Sequence, residues 1–150
     1  NNTRNVMVLQ NSNMKRYSIT FENNYIFYKE HKTQSDKLRD LLKRLLGTEQ
    51  FSAKQLSILV PHSRDIDLVK GYAFDDKSSI ESKKINVSSV SKYKGLENDI
   101  VIMVIPSWEA LNAEYILQPL SLMYVGFSRA KTKLYVIGDK KIQKAINWNI

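Results

Sequence analysis

The sequence contains no cysteine, which excludes a disulfide framework and thiolate ligation of zinc. Its two histidines, His31 and His62, are too few and too far apart to form a metal site, so no metal ligands are expected and stability must come from packing. No apolar run approaches the ~18 residues that would span a bilayer, and no basic-then-apolar leader opens the chain. Membrane partners are therefore not expected, and a cytoplasmic location is. The chain begins at Asn1 rather than at a methionine, so an excised piece or a processed product is expected rather than a complete reading frame. Acidic residues are also scarce: 15 Asp and Glu face 23 Lys and Arg, a net charge of +8. Such an excess attracts polyanions, whether nucleic acid, an acidic membrane or a nucleotide. It is uneven, because Arg129, Lys131, Lys133, Lys140, Lys141 and Lys144 are opposed over the last 26 residues by Asp139 alone.

What is present is the composition of a folded domain. An apolar share of 43% with 25% charged residues is richer in core-forming side chains than a disordered chain. A length of 150 residues suits one core better than two, so 1–150 is read as a single domain. No internal repeat or low-complexity segment interrupts it.

Periodicity alternates between strand-like and helical. Residues 6–9 and 17–21 are strand-like, and 25–28 follow the turn signal Asn23-Asn24, so the opening reads as a hairpin or edge ribbon. Over 33–46, Leu38, Leu41, Leu42, Leu45 and Leu46 recur at helical spacing, with Thr33 or Ser35 to cap the start and Gly47 to end it. The Lys and Arg residues between these leucines read as a solvated face. Ser52 caps a short turn before the strand 56–60, which Pro61 closes. Residues 64–72 read as a short helix, 73–84 as a polar surface loop and 85–90 as a strand. Residues 99–105 form an unbroken apolar run ending at Pro106, which demands cover on both faces. Pro119 opens a helix whose inward stripe is Leu120, Met123, Tyr124 and Phe127. A strand at 134–137 and a helix at 140–148 follow. Buried strands alternating with amphipathic helices imply an α/β layer structure with a mainly parallel central sheet, in which ligands are expected on the loops after the carboxyl ends of strands.

Two segments combine the residues that chemistry needs. Residues 89–99, between two strands, join Lys92, Lys94, Gly95 and Glu97: a tight cationic connection in which glycine permits close backbone approach and Glu97 accepts from hydroxyls or pairs with a base. Taken alone, a Lys-Gly pair reads as a turn. Residues 122–135 run from helix into strand. At ~100° per residue Arg129 falls opposite the stripe of Leu120, Met123, Tyr124 and Phe127, so its guanidinium is expected outward, suited to gripping a phosphate. Spacing alone equally describes an ordinary basic helix terminus.

Together the two segments resemble something specific. Ser89-Val90-Ser91-Lys92-Tyr93-Lys94-Gly95-Leu96-Glu97-Asn98-Asp99 is similar to the T-x-H-x-x-K-G-L-E-F-D motif of UvrD/Rep-like superfamily 1 DNA helicases. Leu122 to Lys131 is similar to their L-x-Y-V-A-x-T-R-A-K motif. Order and intervening length also match, and 56–64 loosely resembles I-A-I-L-x-R-x-N. Both motifs belong to the second, C-terminal RecA-like domain of that family. The resemblance covers about 85–138, while 1–46 shows no similarity to it. It implies a RecA-like P-loop NTPase-type sandwich and, position by position, these roles: Gly95 and Glu97 facing the nucleotide, Glu97 near the sugar hydroxyls; Arg129 as an arginine finger reaching toward the γ-phosphate; and Ser89, Ser91 and the adjacent Lys92 contacting the DNA backbone. Ser91 stands where the family has His, Asn98 where it has Phe, and Gly126-Phe127-Ser128 where it has Ala-x-Thr.

The phosphate loop G-x-x-x-x-G-K-[S/T] is missing, as is an apolar strand ending in a paired Asp-Glu. The family carries both on its N-terminal RecA-like domain. The resemblance thus implies that ATP and Mg2+ are held mainly by that domain of the same protein, that the partner polymer is single-stranded DNA, and that this chain alone is inactive. Two alternatives stay open: a RecA-like nucleic-acid-binding module without ATPase activity, and an unrelated doubly wound nucleotide-processing domain.

Overall fold

The computed structural model describes residues 2–10, 13–21, 31–93, 97–106 and 129–138. Strands β1 (Asn2–Gln10) and β2 (Asn13–Phe21) form an antiparallel hairpin, longer than the two short runs that composition marks. Helix α1 (His31–Lys43) leads to β3 (Leu56–Val60), and helix α2 (Ile66–Ala73) to β4 (Asn86–Ser89). β5 (Asn98–Val104) and β6 (Ala130–Ile137) complete a six-stranded sheet in the order β1-β2-β6-β5-β3-β4. Every neighbouring pair except β1 with β2 is parallel, so the expectation of a mainly parallel α/β sheet holds. The strand-like residues 25–28 and the helices expected at 120–127 and 140–148 lie outside the described residues.

The unbroken apolar runs explain why β3 and β5 are central. In register, Ile58 lies beside Ile102, and Ile102 beside Tyr135. Ile58, Ile100, Ile102 and Val104 face a core that also holds Leu38, Leu41, Leu42 and Leu45 of α1 and Val69 of α2. The alternate residues Leu59, Val101, Met103 and Val136 are equally out of solvent, so these strands are buried on both faces, as helix-covered parallel sheets require. Each fully buried aliphatic side chain contributes about 1.5–3 kcal/mol relative to exposure.

The helix ends show where local signals were incomplete. α1 widens after Lys43 into a π turn over Arg44–Thr48, and the left-handed residue that turns the chain is Gln50 at φ 58°, not Gly47. In α1 the basic residues are not uniformly solvated: half-buried Arg39 donates to the Gly71 carbonyl at 3.0 Å and pairs with Asp75 at 3.2 Å; in the π turn that follows, the exposed Arg44 guanidinium lies 5.9 Å from the Tyr135 ring centre. The buried Ser35 hydroxyl donates to the Tyr72 carbonyl at 3.0 Å, and Gln34 Nε2 to the Pro106 carbonyl at 3.2 Å. These bonds tie α1 to α2 and to the end of β5. Ser52 begins the expected turn before β3, its N–H donating to Gln55 Oε1 at 3.0 Å. In the surface loop after α2, Asp75 accepts from the Lys77 N–H at 2.9 Å. Desolvation works to raise the Asp75 pKa, but the Lys77 N–H, the Arg39 guanidinium and Ser78 together outweigh it and hold it below the ordinary aspartate value.

Candidate functional site

The four parallel strands β3 to β6 start at one edge and finish at the other, and this polarity divides the candidate residues into two groups. At the carboxyl edge, β4 passes into a helical turn over 90–93. The Val90 N–H donates to the Val60 carbonyl at 2.9 Å, setting this turn beside the Pro61-His62-Ser63-Arg64 loop that follows β3. Ser89 is buried; its hydroxyl oxygen accepts from the Lys92 N–H at 3.3 Å and its carbonyl from the Tyr93 N–H at 3.0 Å. Ser89 therefore shapes the turn from inside, and Ser91 and Lys92 are the members exposed to solvent.

Glu97 and Arg129 are at the amino edge. Glu97 immediately precedes β5 and Arg129 immediately precedes β6, and the Asn98 N–H donates to the Arg129 carbonyl at 2.9 Å. Two residues far apart in sequence thus become neighbours across adjoining strands. Neither follows a carboxyl end, where ligand loops were expected; both lead into strands, because the chain after each connection must return to the starting edge of a parallel sheet. Gly95 lies outside the described residues. Glu97 is exposed, whereas Arg129 is half-buried rather than fully outward, and its Nε is shut off from solvent without a hydrogen-bond partner among the described residues. A buried unmatched donor costs about 1–3 kcal/mol, more when charged.

A set of polar residues between the two edges escapes motif reading. Asn98 Nδ2 donates to the Lys54 carbonyl and to Ser57 Oγ, each at 2.9 Å, and Ser57 Oγ lies 2.7 Å from the Tyr93 hydroxyl. Ser57 and Tyr93 are buried. The Asp99 N–H bonds Asn98 Oδ1 at 2.8 Å, and Gln55 Nε2 bonds Asp99 Oδ2 at 3.1 Å. The signal that pointed here was Asn98 itself, a polar residue where the similar motif has Phe.

The remaining charge at this edge is partly engaged. Lys133 is 3.2 Å from Glu49, a hydrogen bond that pushes the ammonium pKa up. Elsewhere, a groove of about 780 Å³ runs between α1 and the loop after α2. It contains none of the candidate residues, and its Asp36, Asp40, Asp75 and Glu81 offset Arg39, Lys43 and Lys77, so it has no net positive field for phosphate. No cluster of three metal-ligating side chains occurs among the described residues, and no helix among them is long and apolar enough to cross a membrane.

A family model described as an AAA domain matches residues 1–141. The chain belongs to this AAA-domain family. That match includes 1–46, the region without motif similarity. Among solved structures, the AAA-domain chain is similar to the C-terminal domain of a possible DNA helicase from Lactobacillus plantarum WCFS1, with 16% identity, a TM-score of 0.54, and coverage of 81% of this chain and 72% of that one. At this identity the likeness establishes the fold, a RecA-like α/β sandwich. No curated protein matched the AAA-domain sequence.

Proposed function

We propose that this chain is the C-terminal RecA-like domain of an ATP-dependent DNA helicase or translocase of the UvrD/Rep type, acting on single-stranded DNA in the cytoplasm. The observation that carries this reading is the polarity of the site: Ser91 and Lys92 at the carboxyl edge of the sheet, Glu97 and Arg129 together at the amino edge. A motor that binds a polymer and burns a nucleotide needs two separate contact surfaces joined by a stiff element, and a parallel sheet buried on both faces is stiff. Membership of an AAA-domain family and a fold like that of a possible helicase's C-terminal domain support the same conclusion.

In this reading ATP and Mg2+ sit mainly on an N-terminal RecA-like domain, and the amino edge of this chain closes over them. The nucleotide supplies the phosphoanhydride that is hydrolysed. Gly95 allows close backbone approach, Glu97 accepts from the ribose hydroxyls, and Arg129 directs its guanidinium at the γ-phosphate, stabilising charge as the terminal bond breaks. At the other edge Lys92 neutralises a backbone phosphate and the Ser91 hydroxyl donates to another, while buried Ser89 holds their turn in shape.

The test is ATP hydrolysis by the intact protein containing this domain, with Mg2+, with and without single-stranded DNA. Hydrolysis stimulated by the DNA is the expected result. Binding of DNA with no hydrolysis under either condition would instead make the chain a nucleic-acid-binding module.

A further inference from the structure

We propose that Tyr93, Ser57 and Asn98 form a relay that couples the nucleic-acid-contacting turn at one edge of the sheet to the nucleotide-facing edge at the other. This rests on the functional reading above, and it assigns positioning roles to three residues that make no contact with either ligand in that reading.

The turn carrying Ser91 and Lys92 is closed by the Tyr93 N–H on the Ser89 carbonyl at 3.0 Å, so displacement of that turn moves Tyr93. The Tyr93 ring is buried and its hydroxyl meets Ser57 Oγ at 2.7 Å, near the start of β3. Ser57 Oγ in turn accepts from Asn98 Nδ2 at 2.9 Å. The backbone N–H of the same Asn98 donates to the carbonyl of Arg129 at 2.9 Å, and Asn98 is the direct neighbour of Glu97. A continuous chain therefore runs from the turn that holds Lys92 to the peptide of Arg129 and to the residue beside Glu97. The second Nδ2 proton is committed to the Lys54 carbonyl at 2.9 Å, and Oδ1 accepts from the Asp99 N–H at 2.8 Å, so the amide is held in one orientation. The path joins the buried Ser57 and Tyr93 to the half-buried Asn98, and at its buried end a group cannot shift without its neighbour finding a new partner or losing one. An apolar residue at 98, as in the similar motif, would pack but would transmit no such constraint. The described residues provide a contiguous hydrogen-bonded path between the two edges, the kind of network through which separated sites can be coupled.

The experiment measures, in the intact protein, ATP turnover without DNA, turnover at saturating single-stranded DNA, and affinity for that DNA, for wild type, Tyr93→Phe, Ser57→Ala and Asn98→Ala. Tyr93→Phe keeps the buried ring and removes one hydroxyl; if it fails to fold, Ser57→Ala, which removes a single oxygen, carries the same test. The expected result is a stimulation ratio reduced about five-fold or more, with DNA-free turnover and DNA affinity unchanged. Combining Tyr93→Phe with Asn98→Ala should lower the ratio no further than the worse single change, because both cut one chain. A folded variant that keeps the wild-type ratio overturns the relay alone, as does a ratio that falls only in step with DNA affinity. A wild-type protein that hydrolyses ATP equally with and without DNA overturns the functional reading and the relay with it.

Discussion

Replacing Arg129 by alanine separates a role in turnover from a role in the fold, because the structure predicts opposite outcomes for the two. The side chain is half-buried and its Nε is cut off from water without a partner among the described residues. Removing it relieves about 1–3 kcal/mol of unmatched desolvation. Against this stands the packing of the aliphatic stem, about 0.8 kcal/mol for each buried CH₂, of which a half-buried arginine has one or two. The terms nearly cancel, so Arg129→Ala should leave stability within about 1 kcal/mol of wild type, a shift in melting temperature of no more than ~4 °C for a domain of this size. Turnover should respond quite differently. Arginine fingers contribute on the order of 10³ to 10⁵ in rate, so even a weak one is visible. Arg129→Lys should also fail, since an ammonium keeps the charge but loses the planar fork. The assay is steady-state ATP hydrolysis by the intact protein, paired with ATP affinity, DNA affinity and thermal unfolding, with Lys131→Ala as the neighbouring control. Retention of more than about a third of wild-type turnover limits the barrier change to under ~0.7 kcal/mol and refutes the finger. A loss of stability well beyond 1 kcal/mol refutes the reasoning about the unmatched Nε.

Three further outcomes follow from the described contacts. Ile102→Ala, at a fully buried position in the middle of β5, should cost about 2–5 kcal/mol, read as a lowered denaturant midpoint with an unchanged slope. Lys92→Ala should weaken single-stranded DNA binding without sequence preference and flatten the dependence of log affinity on log salt by about 0.7; an unchanged slope would remove Lys92 from the DNA contacts. Asp75 has a folded pKa below its ordinary value of 3.8, so its contribution to stability is present above that value and is lost as pH falls through the lower folded value. Asp75→Asn should accordingly flatten the acid limb of the stability–pH profile in that window, measured by urea unfolding at stepped pH.

Much of this architecture was legible in local patterns. The leucines of α1 declare a helix because side chains three and four apart share a face. The run that becomes β5 declares a strand covered on both sides because no polar alternation interrupts it. Arg129, Glu97, Ser91 and Lys92 became candidates through the motif resemblance, since spacing alone equally described a turn and a basic helix terminus, and the family match over 1–141 agrees with the helicase-domain resemblance at the level of a motor-type domain. Other features depended on contacts between distant segments. The strand-like runs 6–9 and 17–21 fall within β1 and β2, but the turn signal Asn23-Asn24 comes after the pairing of those two strands rather than between them, and the attachment of β2 parallel to β6 could not be read along the chain, because it depends on strand order in the sheet. The placement of Glu97 and Arg129 at the same edge is a product of strand order: only with β5 beside β6 does the Asn98 N–H reach the Arg129 carbonyl. Ser89 looked like an available hydroxyl until its burial under the turn was seen, and Asn98 looked like a mere departure from a motif until Ser57 and Tyr93 were found bonded to it in sequence. Periodicity is set by neighbours a few residues away and so can be read along the chain, whereas these contacts bridge 36 and 41 positions and come into being only when the sheet closes.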